Sequence, residues 1–252
     1  MAFIKFLGTA GARFVVAEQL RYSAGTVIKS NETTLVFDPG PGTLLRLASS
    51  RPKIPIKDID GVILSHIHLD HSTDANVILD SITEGGLKKT GVLFTTEEAL
   101  YSENRVILPF LRSYLNEIDT LSHKGTFSFK DIKFTAFKHD HPAETYGIRF
   151  EIGGKVVSFV VDTLFFDDLI EYYKNSDLLV LNVVRANARE GVKHLSVEDV
   201  EKFLQFANPK KVVMTHFGMT MLRQNPQKTA ENLSEAYKTE VIAAYDGLRL
   251  EF

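Results

Sequence analysis

Cysteine is absent from the 252-residue chain, and this absence limits the chemistry available to it. Without cysteine there are no disulfide bonds, no thiolate zinc sites and no cysteine nucleophile. Any metal ion would therefore be held by nitrogen and oxygen ligands.

The sequence also lacks long apolar runs and a strong charge of either sign. No segment approaches the roughly 18 apolar residues of a membrane span, and residues 3–8 are too short in apolar length for a signal peptide. We therefore expect a cytoplasmic protein that does not associate with membranes. The formal net charge of −3 gives no general attraction to nucleic acid or acidic lipid.

No Pro-, Gly- or Ser-rich linker and no low-complexity tract divides the chain, and 44% of its residues are hydrophobic. We therefore predict one α/β domain over residues 1–252. Hairpin-rich strands followed by alternating strands and helices occur twice, in about residues 1–125 and 126–252. This repeated pattern predicts two packed sheets with helices outside them.

Apolar periodicity and turn residues predict the individual elements. Strands are expected at residues 3–7, 26–29, 33–37, 61–64, 91–95, 127–129, 132–138, 146–152, 155–161, 178–181, 212–215, 241–244 and 248–250. Helices are expected at residues 43–50, 75–79, 97–121, 167–174 and 229–237, and one more begins at Ser196, with Asp199 at capping-box spacing.

Three histidines and one aspartate lie within six residues, directly after the apolar strand at residues 61–64: His66, His68, Asp70 and His71. Their spacing matches neither a helix face nor a strand face, which predicts a loop at the carboxyl end of the strand. Ionisable groups packed this closely repel one another and leave lone pairs unfilled, unless a divalent cation neutralises and binds them. The cluster therefore predicts a metal site.

Further nitrogen and oxygen ligands follow other predicted strands. His141 follows the strand at residues 132–138, Asp162 follows residues 155–161, and His216 follows residues 212–215. An α/β sheet presents its functional groups at such strand ends.

Two other segments allow two interpretations each. The turn at residues 8–11 either lets backbone N–H groups approach an anion or simply ends the first strand tightly. Asp38, followed by Pro39 and Gly40, either forms a turn or orients a ligand imidazole from outside the ligand set.

The His66-x-His68-x-Asp70-His71 motif and the later His141, Asp162 and His216 resemble the metallo-β-lactamase superfamily of metal-dependent hydrolases. The resemblance extends over nearly the whole chain and implies a four-layer αββα sandwich with a two-metal site at one edge. It further implies that His66, His68 and His141 hold one metal, that Asp70, His71 and His216 hold the other, and that Asp162 bridges them. Such ligands suit zinc, and also manganese or iron.

His194 in a His-Leu-Ser sequence and His216 in Thr-His-Phe-Gly resemble the branch that contains ribonuclease Z and the phosphodiesterases of phosphonate breakdown. In those relatives the histidine that matches His194 assists phosphate cleavage, so His194 is a candidate catalytic residue. Asp70 is the second candidate catalytic residue. We see no long glycine- and proline-bearing arm of the kind with which ribonuclease Z grips transfer RNA. A small phosphodiester substrate is therefore preferred to RNA, and the sequence leaves homo-oligomerisation open.

His139 and His141 compete for one ligand position. We favour His141, because residues 142–147 match the spacing to glycine in these relatives, and His139 is then exposed or supports the site from outside. His123 is followed by Lys124 and Gly125, which predicts an ordinary turn residue.

These predictions together indicate a dinuclear hydrolase in which a metal-bridging hydroxide attacks phosphorus and His194 donates to a phosphoryl oxygen or the departing alkoxide. The same hydroxide could instead attack the acyl carbon of an ester, thioester or lactone. The same residues are also compatible with a ribonuclease Z-like endoribonuclease and with a metal-dependent binding or sensing protein.

Overall fold

Two β-sheets packed face to face form the centre of the computed structural model, which describes residues 2–23 and 25–252. Within that part of the chain, the strands are β1 (Phe3–Phe6), β2 (Thr26–Lys29), β3 (Thr34–Phe37), β4 (Gly61–Ile63), β5 (Val92–Thr95), β6 (Glu117–Thr120), β7 (Thr126–Phe129), β8 (Ile132–Lys138), β9 (Tyr146–Ile152), β10 (Lys155–Val160), β11 (Leu178–Arg185), β12 (Leu195–Ser196), β13 (Lys211–Thr215), β14 (Glu240–Ala243) and β15 (Arg249–Glu251).

The first sheet has the order β15-β1-β2-β3-β4-β5-β6, and the second has the order β14-β13-β11-β10-β9-β8-β7, with β12 paired to β11. In the second sheet β10, β11 and β13 are mutually parallel, and β8 runs in the same direction because both β8 and β10 are antiparallel to β9. The carboxyl ends of β8, β10 and β13 therefore lie at one edge of this sheet.

Helices cover both outer faces of the sandwich. They are α1 (Ala12–Ala17), α2 (Thr43–Ser49), α3 (Leu69–Ser72), α4 (Ala75–Ile82), α5 (Glu97–Tyr101), α6 (Pro109–Arg112), α7 (Asp168–Tyr173), α8 (Val197–Phe206), α9 (Met219–Gln224) and α10 (Pro226–Tyr237), and a 3-10 turn occupies Ile56–Asp58. The capping box predicted at the start of α8 is present, with Ser196 and Asp199 bonding reciprocally.

Alternating side chains along the strands build three apolar layers. Phe94 and Val180, from different sheets, belong to the central layer between the sheets. Their strand neighbours Leu93 and Leu179 point outward, against the helices of the first and second sheet respectively. The predicted four-layer αββα sandwich is confirmed, whereas the division into two pseudo-repeated halves of one domain stays a prediction.

The structure corrects several local predictions. Residues 97–121 are not continuous helical cover, because two short helices are followed by the edge strand β6, which pairs in parallel with β5. The histidine cluster is a loop only as far as His68, after which Asp70 and His71 lie in the single turn α3. Helices α1 and α9 were not predicted.

No helix in the described part of the chain has the length and apolarity required to cross a bilayer.

Candidate metal centre

The carboxyl ends of four strands bring the predicted site residues together. β4 of the first sheet leads into the loop of His66 and His68 and then into α3, while β8, β10 and β13 lead to the later ligands. All seven candidate metal ligands converge at this edge: His66, His68, Asp70, His71, His141, Asp162 and His216.

The candidate ligand atoms fall into groups in each of which all atoms lie within 4.8 Å of one another. One group contains His66, His68, His141 and Asp162, a second contains Asp70, His71 and His216, and a third joins His66 and His71 to Asp38. Asp162 also approaches the second group, since its Oδ2 lies 3.6 Å from His71 Nε2 and its Oδ1 lies 3.5 Å from His216 Nδ1. The first two groups match the two expected ligand sets except that Asp162, expected in both, belongs by this distance to the first alone; their metal-binding role stays a prediction.

Asp38 orients two of the imidazoles, which favours the second of the two interpretations given for this residue, that of an orienting group outside the ligand set. Its carboxylate accepts hydrogen bonds from the Ser65 backbone N–H (2.7 Å), the Ser65 hydroxyl (2.6 Å) and His71 Nδ1 (2.9 Å). Because the Ser65 hydroxyl gives its proton to Asp38, the contact of 2.9 Å between Ser65 Oγ and His66 Nδ1 requires His66 to donate. In their neutral forms, His66 and His71 therefore carry lone pairs on Nε2.

These Nε2 atoms face the Asp162 carboxylate, at 3.9 Å from His66 and 3.6 Å from His71, and His71 Nε2 also lies 2.9 Å from His216 Nε2. His66 is fully buried and its Nε2 has no hydrogen-bond partner, although a buried polar atom normally has one. His141 Nδ1 likewise donates away from the cluster, to the Lys193 carbonyl at 3.0 Å, and its Nε2 lies 3.1 Å from His68 Nδ1 and 3.9 Å from Asp162 Oδ2. A cation that accepts these lone pairs fits the site, and imidazole and carboxylate donors are the ligands that divalent zinc, manganese and iron accept.

Burial favours the neutral form, which is the form that binds metals, in two of the ligand histidines. It lowers the pKa of His66 well below its ordinary value, the pKa of His141 to about 4 and the pKa of His139 to about 3. Burial also lowers the pKa of His194.

His71 is different, because three carboxylates face it. Burial disfavours its protonated form, but Asp70, Asp162 and Asp38 together raise its pKa well above the ordinary value. Burial likewise disfavours the charged form of Asp162, yet the neighbouring histidines, His216 first, hold its pKa well below the ordinary value. The carboxylates thus favour a positive charge at this point, and a divalent cation supplies one as a proton does.

His139 lies outside the ligand cluster; of the two alternatives predicted for it, exposure is wrong, and a supporting position outside the ligand set stays a prediction. It is 5% exposed, and its Nε2 lies 2.8 Å from the hydroxyl of Tyr173 on α7. The side chain is buried between Tyr173 and the backbone of Gly147.

His194 lies at the mouth of the cluster, between the buried ligands and solvent. Its side chain is 20% exposed, its ring centroid is 5.2 Å from that of His141, and its Nδ1 lies 3.6 Å from Asp162 Oδ2. With Arg13, His68 and Asp70, it lines a cavity of about 470 Å³ that opens onto the ligand atoms.

Two supporting residues were not predicted. Asn182 donates to Asp162 Oδ1 at 3.0 Å from β11, a strand that continues beyond the predicted end at residue 181. Gly11 packs against His216, whose φ of 58° is left-handed. A Cβ atom at Gly11 would lie 2.1 Å from the His216 carbonyl oxygen, so the glycine permits this close approach.

Comparison with known proteins identifies the family. A sequence model described as "Beta-lactamase superfamily domain" matches residues 33–217. The chain therefore belongs to the metallo-β-lactamase superfamily, whose members are metal-dependent hydrolases, and the family predicted from the sequence is confirmed.

Three relatives align over most of their length. "Uncharacterized protein MJ1374" of Methanocaldococcus jannaschii is 32% identical, covering 98% of this chain and 94% of the relative. "Probable metallo-hydrolase YhfI" of Bacillus subtilis is 22% identical over 84% and 86% of the two chains. A ribonuclease Z of Thermobifida fusca is 22% identical over 97% and 92%.

Solved structures share the fold. The crystal structure of Bacillus subtilis YhfI superposes with a TM-score of 0.83 at 20% identity and covers all of both chains. A diphosphatase of the PhnP family gives a TM-score of 0.72 at 18% identity, covering 100% of this chain and 98% of the other. The short form of human tRNase Z gives 0.73 at 16% identity, covering 99% and 98%.

Proposed function

We propose that this protein is a metal-dependent phosphodiesterase that hydrolyses a small phosphodiester or nucleotide-type substrate. The observation that carries the proposal is the position of His194. This imidazole lies beside the ligand cluster and lines the cavity through which a substrate reaches it. A binding site for metal alone does not require such a group.

The chain's own residues have distinct tasks in this reaction. His66, His68 and His141 would hold one metal ion, Asp70, His71 and His216 the other, and Asp162 both. Bound divalent ions supply activated water and polarise a phosphoryl oxygen. Asp38 fixes the orientation of His71 and Ser65, so that the ligand atoms stay aimed at the centre.

His194 and Arg13 act on the substrate from the open side of the cavity. The guanidinium of Arg13 attracts the anionic diester, and the N–H of His194 donates a hydrogen bond to a phosphoryl oxygen or to the departing alkoxide. A negatively charged diester gains from both groups, whereas a neutral ester gains little from Arg13.

RNA is the second candidate substrate, because ribonuclease Z proteins align with nearly the whole chain. The alignment with the Thermobifida fusca protein extends over 299 positions, more than the 252 residues of this chain, so that relative contains additional segments. The corresponding alignment with the Methanocaldococcus jannaschii protein needs only 257 positions. The cavity of about 470 Å³ matches a small-molecule site.

The test compares His194→Ala with the wild-type protein, each reconstituted separately with zinc, manganese and iron. We expect roughly a 100-fold loss of kcat on bis-p-nitrophenyl phosphate, since removal of one hydrogen-bond donor to the transition state has effects of this order. Metal content measured by elemental analysis should not change. His123→Ala, which alters an exposed histidine in a turn, is the matched control.

Unchanged diester turnover in His194→Ala would exclude the role of this residue. Turnover of p-nitrophenyl acetate or lactones without turnover of phosphodiesters would favour an acyl hydrolase instead. A fully metal-loaded protein that is inactive on phosphodiesters, acyl substrates and transfer RNA precursors would favour a binding or sensing protein.

A further inference from the structure

A second cavity of about 760 Å³ adjoins the candidate catalytic cavity. Arg13 and His194 line both, so the two cavities meet at these side chains. Arginines from well-separated parts of the chain line the second cavity: Arg13, Arg185, Arg189 and Arg223.

The positive charge of this cavity is not compensated by its surroundings. Glu18 is the acidic residue among the described residues that line it, and in the described part of the chain none of the four arginines forms an ion pair with a carboxylate. This local excess of positive charge contrasts with the net charge of −3 for the whole chain. Unpaired guanidinium groups around a cavity form a binding site for an anion, and their planar donors match the oxygens of phosphate.

The walls between the arginines are partly apolar. Phe14 on α1 is 63% exposed and lines this cavity together with Val192 and Met219. An exposed aromatic ring offers a surface on which a sugar or a base can pack. The cavity thus combines an anion site with a surface for the organic part of a substrate.

We propose that the arginine cavity, lined by Arg185, Arg189 and Arg223, binds a second phosphate of the substrate, carried as a phosphomonoester. This inference rests on the proposed phosphodiesterase function. The scissile diester lies beside His194, the organic part lies against Phe14, and the phosphomonoester dianion lies among the three arginines. The substrate class is a small, nucleotide-like phosphodiester that bears an additional terminal phosphate.

The positions of the arginines favour a small molecule over an RNA strand as the ligand of this cavity. Binding of nucleic acid uses many lysines and arginines along a track of the surface. Here the arginines surround one cavity whose volume lies in the range of small-ligand sites.

The test uses a matched substrate pair, thymidine 5′-(p-nitrophenyl phosphate) with and without a 3′-phosphate, in the metal-loaded protein. We expect the phosphorylated compound to be preferred by roughly 10- to 100-fold in kcat/KM. The double substitution Arg189→Gln and Arg223→Gln, at two exposed positions, should reduce this preference to within about threefold. The control Lys88→Gln with Lys89→Gln removes the same charge from a remote exposed segment and should retain the preference.

Calorimetry separates failure of this inference from failure of the proposed function. One outcome is that the wild-type protein hydrolyses neither diester and still binds adenosine 3′,5′-bisphosphate more tightly than adenosine 5′-monophosphate. If only the arginine variant then loses this difference in affinity, the phosphate site is supported and the phosphodiesterase function fails.

Equal hydrolysis of both diesters by the wild-type protein would overturn the phosphate site and leave the phosphodiesterase function intact. Slower cleavage of a short oligoribonucleotide by the arginine variant, without any preference within the thymidine pair, would also overturn it. The cavity would then contact an RNA backbone.

Discussion

Carboxylates connect the two sheets at both ends of the sandwich, but their surroundings differ. At the end that carries the turns, Asp131 between β7 and β8 accepts hydrogen bonds from Ser30 Oγ (2.5 Å), Thr33 Oγ1 (2.7 Å) and the Glu32 N–H (3.3 Å), all in the turn between β2 and β3. Both carboxylate oxygens of Asp131 have hydrogen-bond donors from the protein, so Asp131 joins the two sheets without any further ligand.

At the opposite end, several histidines surround the carboxylate of Asp162, but one of its two oxygens lacks a hydrogen-bond donor. Its Oδ1 accepts a hydrogen bond from Asn182, but its Oδ2 lies 3.6–3.9 Å from nitrogen atoms of four histidines: His66, His71, His141 and His194. These distances are too long for hydrogen bonds and leave space at the centre of the group. The comparison indicates that one end is built for stability and the other for a ligand that supplies positive charge.

The largest expected effect comes from removing the carboxylate at the centre of the ligand cluster. Asp162→Ala takes away the group that both sets of ligand atoms approach, so we expect metal affinity to fall by more than about 100-fold. Elemental analysis after dialysis against a metal-free buffer measures the loss. Asp58→Ala, at an exposed position in the 3-10 turn, is the control.

Unchanged metal content in Asp162→Ala would remove this residue from the ligand set. It would also remove the distinction between the two ends of the sandwich.

A smaller effect should follow from changing the carboxylate that orients the ligands. Asp38→Ala leaves the Ser65 N–H and His71 Nδ1 without their acceptor and places alanine at a φ of 48°. We expect a loss of about 3 kcal/mol in the free energy of unfolding and roughly 10- to 100-fold weaker metal binding. Urea denaturation and metal titration measure the two effects.

Asp38→Asn is the matched variant, because asparagine tolerates the left-handed conformation and retains one acceptor oxygen. It should weaken metal binding with a smaller cost in stability. If Asp38→Ala and Asp38→Asn both bound metal as the wild-type protein does, the orienting role of Asp38 would be wrong.

Most strands could be predicted from the sequence, because apolar side chains alternate where a sheet buries a face. β9 was predicted with the bounds Tyr146–Ile152, and Gly153 and Gly154 form the predicted turn with positive φ values. The edge strand β6 was missed, because its one apolar residue, Ile118, lies at helical spacing from Leu111 and Leu115. Backbone pairing with β5 determines the conformation of β6, and the side-chain sequence does not predict that pairing.

The candidate ligands could be recognised because ionisable residues directly after apolar strands are unusual. The supporting groups could not, since their roles depend on tertiary packing. Asn182 lies within a strand whose end was predicted four residues too early, and Gly11 acquires its role only where it meets His216. Arg13 and Arg223 are ordinary charged residues in the sequence and share a cavity only after folding.

The smallest expected effect concerns the end that carries the turns. Burial opposes ionisation of Asp131, but hydrogen bonds from Ser30, Thr33 and Glu32 hold its pKa below the ordinary value. A carboxyl group with a lowered pKa in the folded state contributes stability above its unfolded pKa, and this contribution is lost as the pH falls through the folded pKa. Asp131→Ala should therefore cost about 1–2 kcal/mol at neutral pH, chiefly because the buried hydroxyls of Ser30 and Thr33 lose their acceptor.

Urea denaturation of the wild-type protein and Asp131→Ala at a series of acidic pH values checks the direction. The difference in stability should be present at neutral pH and shrink as the medium becomes acidic, while the metal content of the two proteins at neutral pH stays equal. Asp131→Asn retains an acceptor and should give an intermediate loss. A loss of metal in Asp131→Ala equal to that in Asp162→Ala would mean that the two ends act as one unit, contrary to the separation that their hydrogen bonding indicates.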